Sequence, residues 1–119
     1  PRLYLGQLSR ERGDSEQAMA HWRAVPDSAG RDAATARYLE GVVSLDRRES
    51  AAGEALLQQA IRLRLDYAAP HERLLELYAS QMRGDEVLEQ LAALERIRPL
   101  KLDELILRVV AHERITNVD

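Results

Sequence analysis

Two histidine–glutamate pairs are the residues of this sequence whose types come nearest to a catalytic motif. Glutamate follows directly after His71 and after His112. On a zinc-protease helix a second histidine stands four residues after the first, so that both imidazoles reach one zinc ion from the same face. Here those positions hold Leu75 and Thr116. Neither pair can therefore form the zinc-protease site.

The other polar residues do not form a catalytic constellation along the sequence either. His21 stands alone beside Trp22, whereas a metal site needs several convergent ligands. Glu72 and Glu76 are four residues apart on a predicted helix, but Arg73 accompanies them and an open, solvated face is the simpler interpretation. The sequence has neither a Gly-x-Ser-x-Gly motif nor a phosphate-binding glycine loop. We therefore expect no enzymatic activity, no catalytic residue, no metal and no cofactor.

The composition is typical of a soluble helical protein. The 119 residues are 45% hydrophobic and 31% charged, and 17 basic residues against 20 acidic ones give a net charge of −3. Basic and acidic residues alternate, which argues against a nucleic-acid interface. No apolar run approaches the roughly 18 residues of a membrane span. Cysteine is absent, so disulfides and thiolate metal sites are excluded while the cellular compartment stays open.

The hydrophobic pattern predicts seven helices of similar length and no strand. Apolar residues recur at spacings of three and four, and glycine or proline stands between the periodic segments. Gly13 supplies the left-handed residue that ends the first helix, and Asp14 or Ser15 caps the second. The predicted helices cover residues of about 2–12, 15–25, 31–47, 50–65, 70–84, 85–98 and 102–115.

A period of about 35 residues relates successive pairs of these helices. Three positions recur in the second pair: Gly6 as Gly41, Ala18 as Gly53, and Trp22 as Leu57. A helix-breaking turn recurs three times, as Gly13-Asp14, Arg48-Glu49 and Gly84-Asp85. We therefore predict a repeated helical hairpin in which Gly6 permits a close helix approach. Trp22 then lies in the core rather than on a surface where a sugar or a base stacks.

These features resemble the tetratricopeptide repeat family, whose units are hairpins of two helices and about 34 residues. The matching residues are Leu5, Gly6, Gly13, Asp14, Ala18 and Trp22 in the first unit, Gly41, Gly53, Leu57 and Ala60 in the second, and Leu74, Tyr78 and Pro99 in the third, where Val87 takes the small position. The resemblance implies an all-α fold, an α-solenoid of antiparallel helix pairs that winds as a right-handed superhelix. It places repeats at residues 1–30, 31–68 and 69–100 and a terminal or capping helix at 102–115. We expect the chain, residues 1–119, to be a fragment of a longer protein.

The function that the family resemblance implies is the docking of another protein on a concave face, which the first helix of each hairpin lines. Carried over to this sequence, that face comprises Tyr4, Gln7, Arg10, Glu11, Tyr38, Val42, Asp46, Glu72, Arg73 and Glu76. Tyr4 and Tyr38 are the strongest candidates, because an exposed tyrosine combines apolar area with a hydrogen-bonding tip. The family's clamp for a C-terminal carboxylate is not expected, since its basic and amide positions fall on Leu3, Gln7, Leu39 and Ala69.

The arginine-, alanine- and leucine-rich composition, with a single lysine, is similar to the periplasmic repeat arrays of Pel-type bacterial exopolysaccharide exporters. That resemblance implies a periplasmic scaffold that recruits a polysaccharide deacetylase or hydrolase, in a full-length protein with an outer-membrane barrel. Two alternatives stay open. One is a cytoplasmic assembly or regulatory scaffold, and the other is direct binding of a cationic polysaccharide in an acidic groove that contains Glu11, Asp46, Glu72 and Glu76. No nucleic-acid partner is expected.

Overall fold

Residues 1–116 are described by a computed structural model, and they form an all-α fold. Seven α-helices and one short 3₁₀ helix follow one another without a strand in this part of the chain. The helices are α1 (Arg2–Glu11), α2 (Ser15–Arg23), the 3₁₀ helix (Asp27–Ala29), α3 (Arg31–Asp46), α4 (Ser50–Leu63), α5 (Ala68–Ser80), α6 (Gly84–Ile97) and α7 (Leu102–Thr116). This confirms the predicted fold class. None of the described helices has the length and apolar character that a membrane crossing requires.

The helices belong to two units. Unit 1, Pro1–Leu65, contains α1 packed on α2 and α3 packed on α4, with α2 and α3 also in contact. Unit 2 begins at Asp66 and contains α5 packed on α6 and α6 packed on α7. The core of unit 1 is built around Trp22 and small or branched apolar residues of α2 and α3. Each unit therefore contains at least one antiparallel hairpin, as the helical repeat predicts.

The two hairpins of unit 1 share one kind of helix crossing. A Cβ atom placed on Gly6 would lie only 2.6 Å from Trp22 Cδ1, and one placed on Gly41 would lie 3.0 Å from Leu57 Cδ2. Trp22 and Leu57 are both completely buried. A hydrogen atom in place of a side chain at the glycine thus makes room for the large residue of the second helix. The prediction that Trp22 is a core residue is confirmed.

The same hydrogen-bonded turn joins the two helices of every hairpin. In each turn an amide donates to the carbonyl five residues earlier: Asp14 to Ser9 (2.8 Å), Glu49 to Ser44 (2.9 Å) and Arg83 to Tyr78 (2.9 Å). The preceding residue has a left-handed backbone, at Gly13 (φ 80°), Arg48 (φ 63°) and Met82 (φ 58°). This is the Schellman motif, and it satisfies carbonyls that the helix end leaves without partners. Its recurrence relates the three hairpins independently of side-chain identity.

The third turn lies two residues before the predicted position. The predicted turn at Gly84-Asp85 is wrong, because α5 already ends at Ser80 and Met82 adopts the left-handed conformation. Gly84 is instead the first residue of α6, where a Cβ atom would lie 3.3 Å from Ile115 Cγ1 of α7. Glycine there permits a close approach between α6 and α7 rather than a turn.

A buried arginine connects α3 to the end of α2. The Arg37 guanidinium donates to Glu40 Oε2 at 2.6 Å and to the main-chain carbonyls of Trp22 and Val25. Carbonyls at a helix end have no partner within the helix, so Arg37 caps α2 from the neighbouring hairpin. Burial raises the pKa of the Glu40 carboxyl above its usual value, although Arg37 and Arg23 both act in the opposite direction.

We predict that Gly6→Ala destabilises unit 1 by about 1–3 kcal/mol, because the added methyl group collides with the buried Trp22 indole. The sign of this stability change is informative, since alanine normally stabilises a helix by about 1 kcal/mol relative to glycine. Urea unfolding followed by circular dichroism measures the change. Gln7→Ala, at an exposed position of the same helix, is the control and should change stability by less than about 0.5 kcal/mol. A more stable Gly6→Ala variant would contradict the observed crossing.

A second prediction concerns Arg37. Arg37→Met should cost about 3 kcal/mol, because it removes the guanidinium that the buried Glu40 carboxylate and the carbonyls of Trp22 and Val25 accept from. Arg37→Met combined with Glu40→Leu should recover at least half of that loss. Arg47→Met is the matched control, since Arg47 pairs at 2.6 Å with Glu16 at the surface and should cost less than about 1 kcal/mol. Equal losses of stability for the Arg37 and Arg47 variants would contradict a special stabilising role for the buried arginine.

Candidate docking groove

A groove runs between α5 and α7 in unit 2. Its first half encloses about 300 Å³ and has an apolar floor of Leu75, Ala79 and Leu107. The carboxylates of Glu76 and Asp103 are exposed along this half. The remaining lining residues are Glu72, Lys101 and Glu104. This half of the groove is therefore apolar at its base and predominantly acidic at its rim.

The second half of the groove continues from the first, because both are lined by Ala79 and Leu107. It encloses about 250 Å³, and its lining among residues 1–116 is apolar apart from the charged Arg114. The other lining residues are Met82, Gly84, Val87, Val110 and Ala111. We call the two halves together the α5–α7 groove. Its charge changes from acidic to basic along its length.

Arg98 holds the acidic end of this groove in place. Its guanidinium binds Glu104 in bidentate fashion, with both N–H···O distances 2.8 Å, and also donates to Glu72 Oε2 at 2.8 Å. The main-chain amide of Lys101 donates to Glu104 Oε1 at 2.8 Å, which is the backward bond of a capping box at the start of α7. One arginine thus joins α5 to the first turn of α7 and fixes the width of the groove.

The Arg98 hydrogen bonds dominate the ionisation of Glu104. They lower the pKa of that carboxyl to about 2, with the Lys101 amide contributing in the same direction and burial opposing it. The pKa of Arg98 is raised by the same hydrogen bonds to Glu104 and Glu72. Glu104 and Glu72 are consequently occupied by Arg98, and Glu76 and Asp103 are the carboxylates that can meet a ligand.

The structure brings two of the three predicted site residues of α5 into this groove. Glu72 and Glu76 line it. Arg73 is half-buried and does not belong to the lining. The predicted face of the third hairpin thus contributes acidic residues here.

The predicted face of unit 1 is partly exposed and partly buried. Tyr4 is 61% exposed, and Gln7, Arg10 and Glu11 line a shallow depression of about 400 Å³. Arg10 Nη2 lies 3.9 Å from the Asp46 carboxylate, so two members of the predicted face meet across α1 and α3.

Tyr38 and Val42 are less exposed than residues of a predicted contact face should be. Tyr38 is half-buried and packs against the core of unit 1, and Val42 is only 2% exposed. The reason is that α3 packs against α1, α2, α4 and the 3₁₀ helix, so that nearly every residue in its middle is covered. Val42 is therefore a core residue in this structure and offers no surface to a partner.

Sequence reasoning missed half of the groove. Asp103 and Glu104 come from α7, and Arg98 and Lys101 come from the segment between α6 and α7. The position of Glu104 had a local signal. It stands three residues after Lys101, the residue that precedes α7, and an acidic residue at that spacing is the mark of a capping box. The pairing of Arg98 with Glu72 had no such signal, because the two residues are far apart in sequence.

His71, the histidine of the first His-Glu pair, has a structural environment. It is 6% exposed and its Nδ1 atom lies 2.7 Å from Gln90 Oε1. Over residues 1–116 no group of three or more histidine, cysteine or acidic side chains converges as a metal ion would require. Neither observation supplies a reactive group for the α5–α7 groove.

Comparison with known proteins gives no further identification. No family model matches the chain, and no curated protein matches it. The interpretation of the groove therefore rests on its own residues.

The lowered pKa of Glu104 predicts a specific pH dependence. Because the folded pKa of about 2 lies below the ordinary value of 4.5, Glu104 stabilises the fold at neutral pH by about 2–3 kcal/mol, and this contribution is lost as the pH falls from about 5 towards 2. Glu104→Gln should remove it. The difference between the urea-unfolding stabilities of wild type and Glu104→Gln should therefore shrink between about pH 6 and about pH 3.

Glu76→Gln is the control for replacing a groove carboxylate, and it should change the stability by less than about 0.5 kcal/mol at neutral pH. A stability difference between wild type and Glu104→Gln that stays constant across this pH range would contradict the assignment of Glu104 to the Arg98 network.

Proposed function

We propose that the chain is a noncatalytic scaffold of the tetratricopeptide-repeat kind, which docks a segment of another protein. The observation that supports this best is the α5–α7 groove, with an apolar floor and charges of opposite sign towards its two ends. The repeated Schellman turns and the glycine crossings of unit 1 support a repeat architecture. Repeat proteins of this kind offer grooves as binding surfaces.

The chemistry of the groove describes the segment that it accepts. Leu75, Ala79 and Leu107 are suited to apolar side chains, whose removal from water supplies most of the binding free energy. Glu76 and Asp103 favour a lysine or arginine near one end of the segment, and Arg114 favours an acidic group near the other. A polypeptide meets these requirements in a single extended or helical stretch.

We further propose that this scaffold serves bacterial exopolysaccharide export in the periplasm, where it recruits a polysaccharide-modifying enzyme. The support is the composition, which is rich in arginine, alanine and leucine and contains a single lysine. A cytoplasmic assembly or regulatory scaffold is the alternative within the same class. The exposed residues of the unit 1 face, with Tyr4 and Glu11 among them, form a second proposed contact surface.

One observation favours a different ligand, a cationic polysaccharide. Four carboxylates and one lysine surround the acidic half of the groove. Arg98 occupies Glu72 and Glu104, however, so that among the lining residues that the structure describes Glu76 and Asp103 remain for a polymer with regularly spaced amines. The apolar floor and the single remaining acidic pair favour the polypeptide.

The proposed function predicts which ligands the chain selects. Peptides selected from a random display library on the immobilised chain should share apolar residues with lysine or arginine towards one end. Glu76→Arg should weaken their binding by about tenfold, because it reverses the charge beside the apolar floor. Glu89→Arg, an equivalent change at an exposed position of α6 outside the groove, should leave it unchanged.

Failure to enrich any peptide, or equal binding to both variants, would contradict docking in this groove. Titration with glucosamine oligomers tests the alternative ligand. Saturable binding that Glu76→Arg abolishes, without peptide enrichment, would favour the polysaccharide.

A further inference from the structure

The α5–α7 groove offers few groups that could pair with the main chain of a bound segment. Both of its long walls are helices, so neither presents a strand edge. Among residues 1–116 its lining contains no serine, threonine, asparagine or glutamine, and the charged lining residues lie towards the two ends. An extended segment pressed against the apolar middle would leave amides and carbonyls there without partners, which is costly. A helix pairs these groups within itself.

The length of the groove favours a helix as well. Asp103 and Arg114 mark its two charged ends and stand eleven positions apart on α7, which is about 16 Å along the helix axis. An extended segment spans that distance with about five residues and turns every second side chain towards the floor. A helix spans it with about eleven residues and places about four side chains, at spacings of three and four, on the same floor. The helix therefore buries more apolar area over the same length.

Met82 is an unusual residue at the apolar end of the groove. It has a left-handed backbone (φ 58°) at the turn position that Gly13 occupies in the first hairpin, where glycine is the favoured residue. Its side chain is nevertheless 61% exposed and lines the groove, with the sulfur atom 3.8 Å from Arg114 Nη1. An exposed side chain contributes little to the core, so this strained backbone indicates a role other than folding. The flexible methionine side chain adapts to varied apolar surfaces.

We propose that the α5–α7 groove receives an amphipathic helix of another protein, whose apolar face contacts Leu107 and Met82. This inference rests on the proposed function and specifies the conformation of the docked segment. Basic side chains of the bound helix meet Glu76 and Asp103, and an acidic side chain meets Arg114. Recognition of this kind places residues i, i+3, i+4 and i+7 of the ligand in the groove.

Two peptide display libraries test the conformation, each of about 16 residues, which as a helix exceeds the length of the groove. One library fixes leucines at spacings of three and four, and the other fixes the same number of leucines at every second position. All other positions are random. The immobilised chain should enrich peptides from the first library alone, and Glu76→Arg should weaken their binding about tenfold.

Selected peptides then report their bound conformation. Difference circular dichroism should show that a peptide gains helix content when it binds the chain. Proline at a middle position outside the leucine pattern should weaken binding at least about tenfold, because it breaks the helix, whereas alanine at that position is the control.

The outcomes separate this inference from the proposed function. Equal or greater enrichment from the alternating library, or binding without a gain of helix, would overturn the helical ligand and leave docking in the groove intact. Enrichment from neither library would overturn both.

Met82→Gly tests the contribution of this side chain to binding. Glycine relieves the left-handed backbone, so the midpoint of urea unfolding should not fall. Binding of a selected peptide should nevertheless weaken about fivefold, because an apolar contact at the end of the groove is lost. Arg48→Gly makes the same backbone change at the corresponding turn of unit 1 and should leave binding unchanged. Equal peptide affinities for wild type and Met82→Gly would overturn the assignment of Met82 to the contact.

Discussion

Unit 1 depends on the close packing of two helices at a glycine, where no side chain separates them. Gly6 and Gly41 bring their helices near enough for Trp22 and Leu57 to be completely enclosed. The volume of the core then comes from a few large residues set among alanines and glycines, which suits a sequence without phenylalanine. In the third hairpin the positions equivalent to Gly6 and Ala18 hold Leu75 and Val87. The same turn therefore joins helices whose contact is built from larger side chains.

Each unit also contains an arginine that connects two helices and binds a carboxylate, and the two arginines act differently. Arg37 is buried with Glu40, and the loss of solvent raises the pKa of that carboxyl even beside a cation. Arg98 keeps more contact with water, and its bidentate bond lowers the pKa of Glu104 to about 2. The first arrangement caps α2 from α3 at the expense of desolvation, whereas the second stabilises the start of α7 directly. The second is also the one that shapes the α5–α7 groove.

Helix α7 contributes to two different surfaces. One side lines the α5–α7 groove, where charged residues surround an apolar floor. Another side exposes four large apolar residues to water: Leu102, Leu105, Ile106 and Val109. The groove suits a segment with its own charge pattern, whereas the exposed apolar row suits an apolar helix face. None of these four apolar residues lines the groove, so a partner in the groove leaves them exposed.

The sequence by itself determined the helices, the hairpin period and the role of Trp22, because these depend on nearby residues: glycine at a left-handed turn, a capping aspartate, and apolar residues at helical spacing. It also predicted that Glu72 and Glu76 belong to a partner-binding face. Only the tertiary structure decided that Val42 is buried, that Met82 rather than Gly84 makes the third turn, and that Arg98 joins Glu72 to Glu104. Each of these depends on which helices surround a residue, and residues distant in the sequence determine that neighbourhood through packing.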